Sequence, residues 1–111
     1  MARYFYDVEE SQKLKFNSQF TMYNNRCFLQ NHKDGKVDGR LCVILIYLNE
    51  EYDESNGGLL ILNKNESILP KIGNIAILDL SKFDIEHQVT EVVGDKNRYC
   101  VLSFIGYPNA E

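Results

Sequence analysis

Along most of this chain, apolar and polar residues alternate with a period near two, and turn-forming clusters interrupt the alternation at short intervals. From residue 15 onward, β-branched and aromatic runs are separated by Asn24-Asn25, Asp34-Gly35, Asp38-Gly39, Asn56-Gly57-Gly58, Gly73-Asn74 and Gly94-Asp95. The pattern predicts strands near residues 15–22, 26–33, 40–49, 58–63, 66–70, 73–80, 87–93 and 97–106. That many short strands predict an all-β sandwich or jelly roll. Leu41 to Leu48 is apolar at every position, which predicts a central strand covered on both sides. Residues 87–93 alternate, with a polar face that begins at His87. Ahead of the strands, Asp7 can cap a short turn through Val8, Glu9, Glu10 and Ser11, so at most one short N-terminal helix is expected.

Length and charge narrow the function. A chain of 111 residues with 44% hydrophobic residues is expected to form one domain over 1–111 with one modest core. With 12 Lys+Arg against 16 Asp+Glu and no basic cluster, nucleic-acid phosphate is excluded as the main partner. The run Leu41 to Leu48 is too short to span a bilayer, and MARYFYDVEE carries acidic residues where a signal peptide needs an apolar stretch. A soluble, cytoplasmic protein without a membrane partner is the expectation. Cys27, Cys42 and Cys100 are odd in number and widely spaced, and read as buried reduced thiols. Gly57-Gly58 reads as a tight re-entry into the next strand, and Glu50, Glu51, Asp53 and Glu54 as a solvated acidic loop.

The chemistry centres on two histidines, the only ones in the chain. In His32-Lys33-Asp34, residues i and i+2 of a strand project from one face, about 6–7 Å apart, so an imidazole and a carboxylate can converge on one metal ion. His87 opens a later strand. Two imidazoles and a carboxylate on one face of an octahedral metal leave three positions for other ligands, the arrangement of non-haem ferrous oxygenases. Spacing alone is weak support, because 16 of 111 residues are acidic and such a pair arises by chance roughly a quarter of the time. On spacing alone the bland readings outweigh the metal site: His32 as a strand-end surface residue and His87 as a polar residue opening a half-buried strand.

Several spaced motifs shift that balance. Phe28-Leu29-Gln30-Asn31-His32-Lys33-Asp34, then Arg40 through Asn49 with Tyr47-Leu48-Asn49 at its end, then Gly57-Gly58-Leu59-Leu60 resemble the iron(II)- and 2-oxoglutarate-dependent dioxygenases of the prolyl hydroxylase type. Pro70, Gly73, Ile75 to Leu78, His87 to Val92 and Arg98-Tyr99 resemble the second half of the same pattern, so the likeness covers about residues 23–107. It implies a double-stranded β-helix, or jelly roll, in which His32, Asp34 and His87 hold Fe(II). It also implies that Arg98, eleven residues after His87, binds the distal carboxylate of 2-oxoglutarate. A guanidinium suits that task because it forks onto a carboxylate through two parallel hydrogen bonds, where a lysine offers a point charge. Tyr47 would add a second donor to the same carboxylate, and Tyr23 would approach the cosubstrate near the metal, with core packing as its other reading. Arg40 would face either the substrate mouth or solvent.

The implied reaction uses Fe(II), 2-oxoglutarate and O2 to hydroxylate an unactivated C–H bond, with decarboxylation of 2-oxoglutarate to succinate. A prolyl or other amino-acid residue, free or within a peptide or protein, is the expected substrate. Members of the family usually carry helices before the HxD strand, whereas about 22 residues precede Tyr23 here. The chain therefore reads as a minimal or truncated dioxygenase core lacking N-terminal bracing helices, for which pairing as a homodimer is one way to cover an exposed sheet. The alternative is a non-catalytic jelly-roll module that binds metal or ligand. A cupin-type metalloenzyme would leave Arg98 and Tyr47 without a role. Asp79 stands where an aromatic is common, and is expected at a strand end or hydrogen-bonded.

Overall fold

The computed structural model describes residues 14–33, 39–80 and 85–108. Eight strands form: β1 Lys15–Tyr23, β2 Leu29–His32, β3 Arg40–Tyr47, β4 Leu60–Leu62, β5 Glu66–Ile68, β6 Ile75–Asp79, β7 His87–Val89 and β8 Arg98–Gly106. They build two four-stranded sheets, ordered β1-β8-β3-β6 and β2-β7-β4-β5. Every strand pair within them is antiparallel. This is the expected jelly roll. The proposed turn at Val8 to Ser11 lies outside the described residues, as does Asp34. Among the described residues no helix is long and apolar enough to cross a membrane.

Period-two alternation decides which side chains meet between the sheets. Val43, Leu45 and Tyr47 of β3 and Ala76 and Leu78 of β6 point inward, with Cys100 of β8 among them. Leu60 and Leu62 of β4 and Val89 of β7 close the core from the other sheet. Cross-strand register stacks these residues: Leu45 stands opposite both Ala76 and Leu102, and Val43 opposite both Leu78 and Phe104.

Two expectations change here, and a third feature, a turn between predicted strands, gains its geometry. The long strand β3 is central in its sheet, yet its outer face is covered only in part, since Cys42 is buried while Ile46 is 37% exposed and Ile77 on neighbouring β6 is 58% exposed. The apolar residues on that face reflect strand propensity and the sheet's outer surface rather than a second buried layer among the described residues. Cys42 and Cys100 are buried, but Cys27 is exposed, because it lies in the turn before edge strand β2, where its thiol donates to the nearby Asn24 amide oxygen at 3.0 Å. Third, the turn at Asn63-Lys64 had no Gly or Pro to announce it. Both residues take positive φ, 50° and 64°, and the Asn65 amide closes the turn on the Leu62 carbonyl at 3.2 Å. Asp79 closes β6 and is half-buried, as expected.

The inter-sheet core carries the stability of this fold. Leu60→Ala should lower the unfolding free energy by about 2–5 kcal/mol, because a cavity remains where the two sheets meet. Ile77→Ala on the open face should cost less than about 1 kcal/mol. Urea unfolding of the two variants checks this, and equal costs would contradict the assignment of the core.

Candidate active site

Strands β2 and β7 pair so that His32 and His87 stand directly opposite. Their ring centroids lie 4.3 Å apart at an interplanar angle of 55°. Each ring is oriented in the same way, by the backbone carbonyl two residues before it: His32 Nδ1 lies 2.7 Å from Gln30 O, and His87 Nδ1 lies 2.9 Å from Ile85 O. A carbonyl can only accept, so each Nδ1 carries a proton, and in the neutral ring Nε2 is the nitrogen left to bind a metal. Two neighbouring imidazoles in that tautomer could serve as a ligand pair for a divalent metal, with orientation supplied by the backbone. The Asn31 amide donates to Glu86 Oε1 at 2.5 Å, tying the two histidine-bearing segments together and holding the Glu86 carboxyl below its usual range. Among the described residues no group of three His, Cys, Asp or Glu forms a metal cluster. The third sequence-predicted ligand, Asp34, lies outside them.

A cavity of about 150 Å³ opens between the sheets, with His87, Tyr23, Leu45, Arg98 and Phe104 on its walls. Arg98, the first residue of β8, is 3% exposed. Its Nε–H donates to the Gly58 carbonyl at 2.7 Å, and its guanidinium carbon lies 5.4 Å from the Tyr23 ring centroid and 5.3 Å from that of Tyr47. No carboxylate among the described residues pairs with this cation. Its Nη2 and the Tyr47 hydroxyl are both buried without a hydrogen-bond partner. A buried cation beside an unused phenol donor is the complement of a bound carboxylate, since leaving either group unsatisfied is costly. The site therefore fits the distal end of 2-oxoglutarate as the histidines fit Fe(II). A strand segment measures the span: Gly58 holds Arg98, while Leu62, four residues on, pairs with His87, at most about 13 Å along the chain.

The remaining candidates separate. Tyr23, opposite Arg98 in the β1–β8 register, is brought to the cavity wall and over the guanidinium. Arg40 is half-buried and stacks on Phe104 at 4.8 Å, six residues along β8 from Arg98 and so roughly 20 Å toward the opposite end of the cavity. Sequence reasoning missed three residues. Asn49 is buried, donates to Pro70 O at 2.5 Å and Tyr99 O at 2.9 Å, and accepts from the Tyr99 amide at 2.7 Å, so it pins β8 beside Arg98. The other two are Gly58, read as a turn residue, whose carbonyl receives Arg98, and Tyr52, whose hydroxyl bonds the neighbouring Gly57 carbonyl. Only the buried position of an Asn at the end of an apolar strand could have drawn notice to the first.

Burial pushes the Tyr47 phenol up from 10.0 to about 12, and the Arg98 charge offsets only part of the rise. Tyr52 shifts upward for the same reason. A proton held more tightly in the folded chain stabilises the fold fully below pH 10, and that contribution is lost as pH rises toward about 12. Unfolding free energy should therefore fall across this range, and Tyr47→Phe should make the fall shallower. Urea unfolding at stepped pH, alongside absorbance titration of the phenols, checks this. Ionisation of Tyr47 at the ordinary phenol value would contradict it.

The model of the 2OG-Fe(II) oxygenase superfamily matches residues 18–106. Among solved structures, a Pseudomonas putida prolyl-4-hydroxylase superposes with a TM-score of 0.70 at 21% identity, over 82% of this chain and 52% of that one. The viral collagen prolyl hydroxylase of Paramecium Bursaria Chlorella virus-1, solved with 2OG, gives a TM-score of 0.67 at 20% identity, over 95% of this chain and 68% of that one. Prolyl 4-hydroxylase from Phytophthora capsici gives 0.61 at 22% identity, over 86% of this chain and 32% of that one. The chain thus spans about half the length of the Pseudomonas structure. No curated protein sequence matches it. With the family pattern running through both sheets, from β1 to the end of β8, the chain belongs to the 2OG-Fe(II) oxygenase superfamily.

Proposed function

We propose that this chain is a 2-oxoglutarate-dependent Fe(II) dioxygenase that hydroxylates a C–H bond of a prolyl or other amino-acid residue in a peptide or protein. The observation that carries the reading is one cavity with His87 of the imidazole pair and the buried, under-satisfied Arg98 on its walls. His32, His87 and Asp34 would hold Fe(II), and Arg98 with Tyr47 would hold the distal carboxylate of 2-oxoglutarate. When bound, iron and cosubstrate supply an oxidant that inserts one oxygen atom of O2 into the substrate while 2-oxoglutarate becomes succinate and CO2.

The chain's own residues supply orientation and dryness. Arg98 and Tyr47 fix the far end of the cosubstrate, so that its 2-oxo acid end reaches the histidines in one pose. Leu45, Leu60, Leu78 and Leu102 exclude water from the cavity, which strengthens each charge-assisted bond inside it. Tyr23 covers the guanidinium as an aromatic face. Outside, Phe28 is 58% exposed beside a groove that His32 also lines, and offers an apolar contact for a substrate side chain. Support for the amino-acid substrate class is the shared fold with prolyl hydroxylases.

Anaerobic mixing with Fe(II) and 2-oxoglutarate should produce a visible charge-transfer band that His32→Ala and His87→Ala abolish. With O2 and candidate peptides, succinate should form. Arg98→Lys should weaken 2-oxoglutarate binding at least about tenfold while changing metal affinity less than about twofold. Absence of the band in the native protein would contradict the proposal, and a band without any succinate would point to a binding module.

A further inference from the structure

The anchor arginine is itself held by a small structure that no spacing rule reveals. Tyr52 follows β3 and is 2% exposed. Its hydroxyl donates to the Gly57 carbonyl at 2.8 Å, with the Asn56 carbonyl at 3.4 Å. Gly57 and Gly58 both have φ of 67°, so the chain makes two consecutive left-handed steps here. The Gly58 amide donates to Glu91 O at 3.2 Å, and the Gly58 carbonyl receives Arg98 Nε at 2.7 Å.

Space, as well as backbone angle, demands glycine at both positions. A Cβ at residue 57 would stand 1.9 Å from Glu91 O, which is impossible without moving the backbone of the other strand. A Cβ at residue 58 would stand 2.7 Å from the Tyr52 hydroxyl and 2.9 Å from Arg98 Cδ. The Tyr52 hydroxyl and Arg98 Cδ therefore both occupy the side of Gly58 where a Cβ would stand. A guanidinium is planar and rigid, so one bond at Nε determines where its amino groups point. In this structure Nη2 is left without a partner, in a residue that lines the cavity.

We propose that Tyr52 is a positioning residue for the cosubstrate anchor: its hydroxyl holds the Gly57-Gly58 turn so that the Gly58 carbonyl aims the Arg98 guanidinium into the cavity. The inference rests on the reading of Arg98 as the 2-oxoglutarate anchor. Tyr52 acts through the backbone, by restricting how far the Gly58 carbonyl can swing. Loss of its hydroxyl keeps the ring in the core and lets the carbonyl relax, which broadens the orientations that Arg98 samples.

Calorimetric titration of 2-oxoglutarate into the Mn(II)-loaded protein, without oxygen, tests the linkage. Tyr52→Phe should raise the dissociation constant about three- to tenfold and leave Mn(II) affinity within about twofold. In an Arg98→Lys background the same substitution should change the constant by less than about twofold, because a lysine has no Nε–H for the cradle to hold. Unchanged affinity in Tyr52→Phe, or an equal loss in both backgrounds, would overturn the proposal. A second measurement needs no ligand and no variant that must fold: hydrogen exchange of the Arg98 Nε–H by nitrogen-15 NMR. In the native protein it should exchange at least about tenfold more slowly than that of exposed Arg26. Exchange as fast as Arg26 would overturn the cradle. If native protein failed to bind 2-oxoglutarate, the proposed function would fall while the exchange rate still decided whether Gly58 holds Arg98.

Discussion

A guanidinium withdrawn from water, with one bond at Nε and a buried nitrogen left unpaired, is expensive to keep in a small core. Much of the surrounding structure makes sense as its support. Asn49 fastens β8 where Arg98 begins the strand, Gly58 offers its carbonyl, and the rings of Tyr23 and Tyr47 flank the charge without neutralising it. A surface arginine would need none of this. The fold carries an electrostatic cost in its resting state that a bound carboxylate would relieve, which is how a rigid site obtains affinity from preorganisation.

The other end of the site follows a different logic. The two histidines face each other because β2 and β7 pair in one register, and each Nδ1 is held by a backbone carbonyl two residues before it. Backbone orientation is stiff, and it selects one tautomer for both rings. Strand β4 connects the two ends, since its Leu62 pairs with His87 and the residue just upstream, Gly58, holds Arg98. The distance between the histidine pair and Arg98 is thus set by a short stretch of chain that runs into a sheet, where side-chain motion changes it little.

How much of this was legible beforehand differs between the sheets. Alternation placed all eight strands, and in the larger sheet their limits agree closely with the structure, because long runs such as Lys15–Tyr23 and Arg40–Tyr47 pair along their whole length. The smaller sheet is shorter than its pattern. Residues 58 and 59 leave the ladder because the Gly58 carbonyl is given to Arg98 and the Leu59 amide to the Thr90 hydroxyl at 2.9 Å. The irregular register between Leu29 and His32 shortens β2 in the same way. Periodicity cannot see a backbone group diverted to a side chain 40 residues away. Likewise His32, His87 and Arg98 were recognisable through the family's spaced motifs, whereas Asn49, Tyr52 and Gly58 act through contacts that spacing along the chain does not encode. Cys27 was misread because a small apolar-like side chain carries no information about which end of an edge strand it occupies.

The central claim is that Arg98 and Tyr47 are built to receive a second carboxylate, and it is tested most directly by comparing two 2-oxo acids of equal chain length. 2-Oxoglutarate and 2-oxopentanoate differ in that the latter ends in a methyl group where the former has its distal carboxylate. Calorimetric titration of each into metal-loaded native protein should show 2-oxoglutarate binding at least about a hundredfold more tightly, because the methyl group leaves the buried cation unsatisfied. Equal affinities would mean that the guanidinium does not meet the cosubstrate, and would contradict the account.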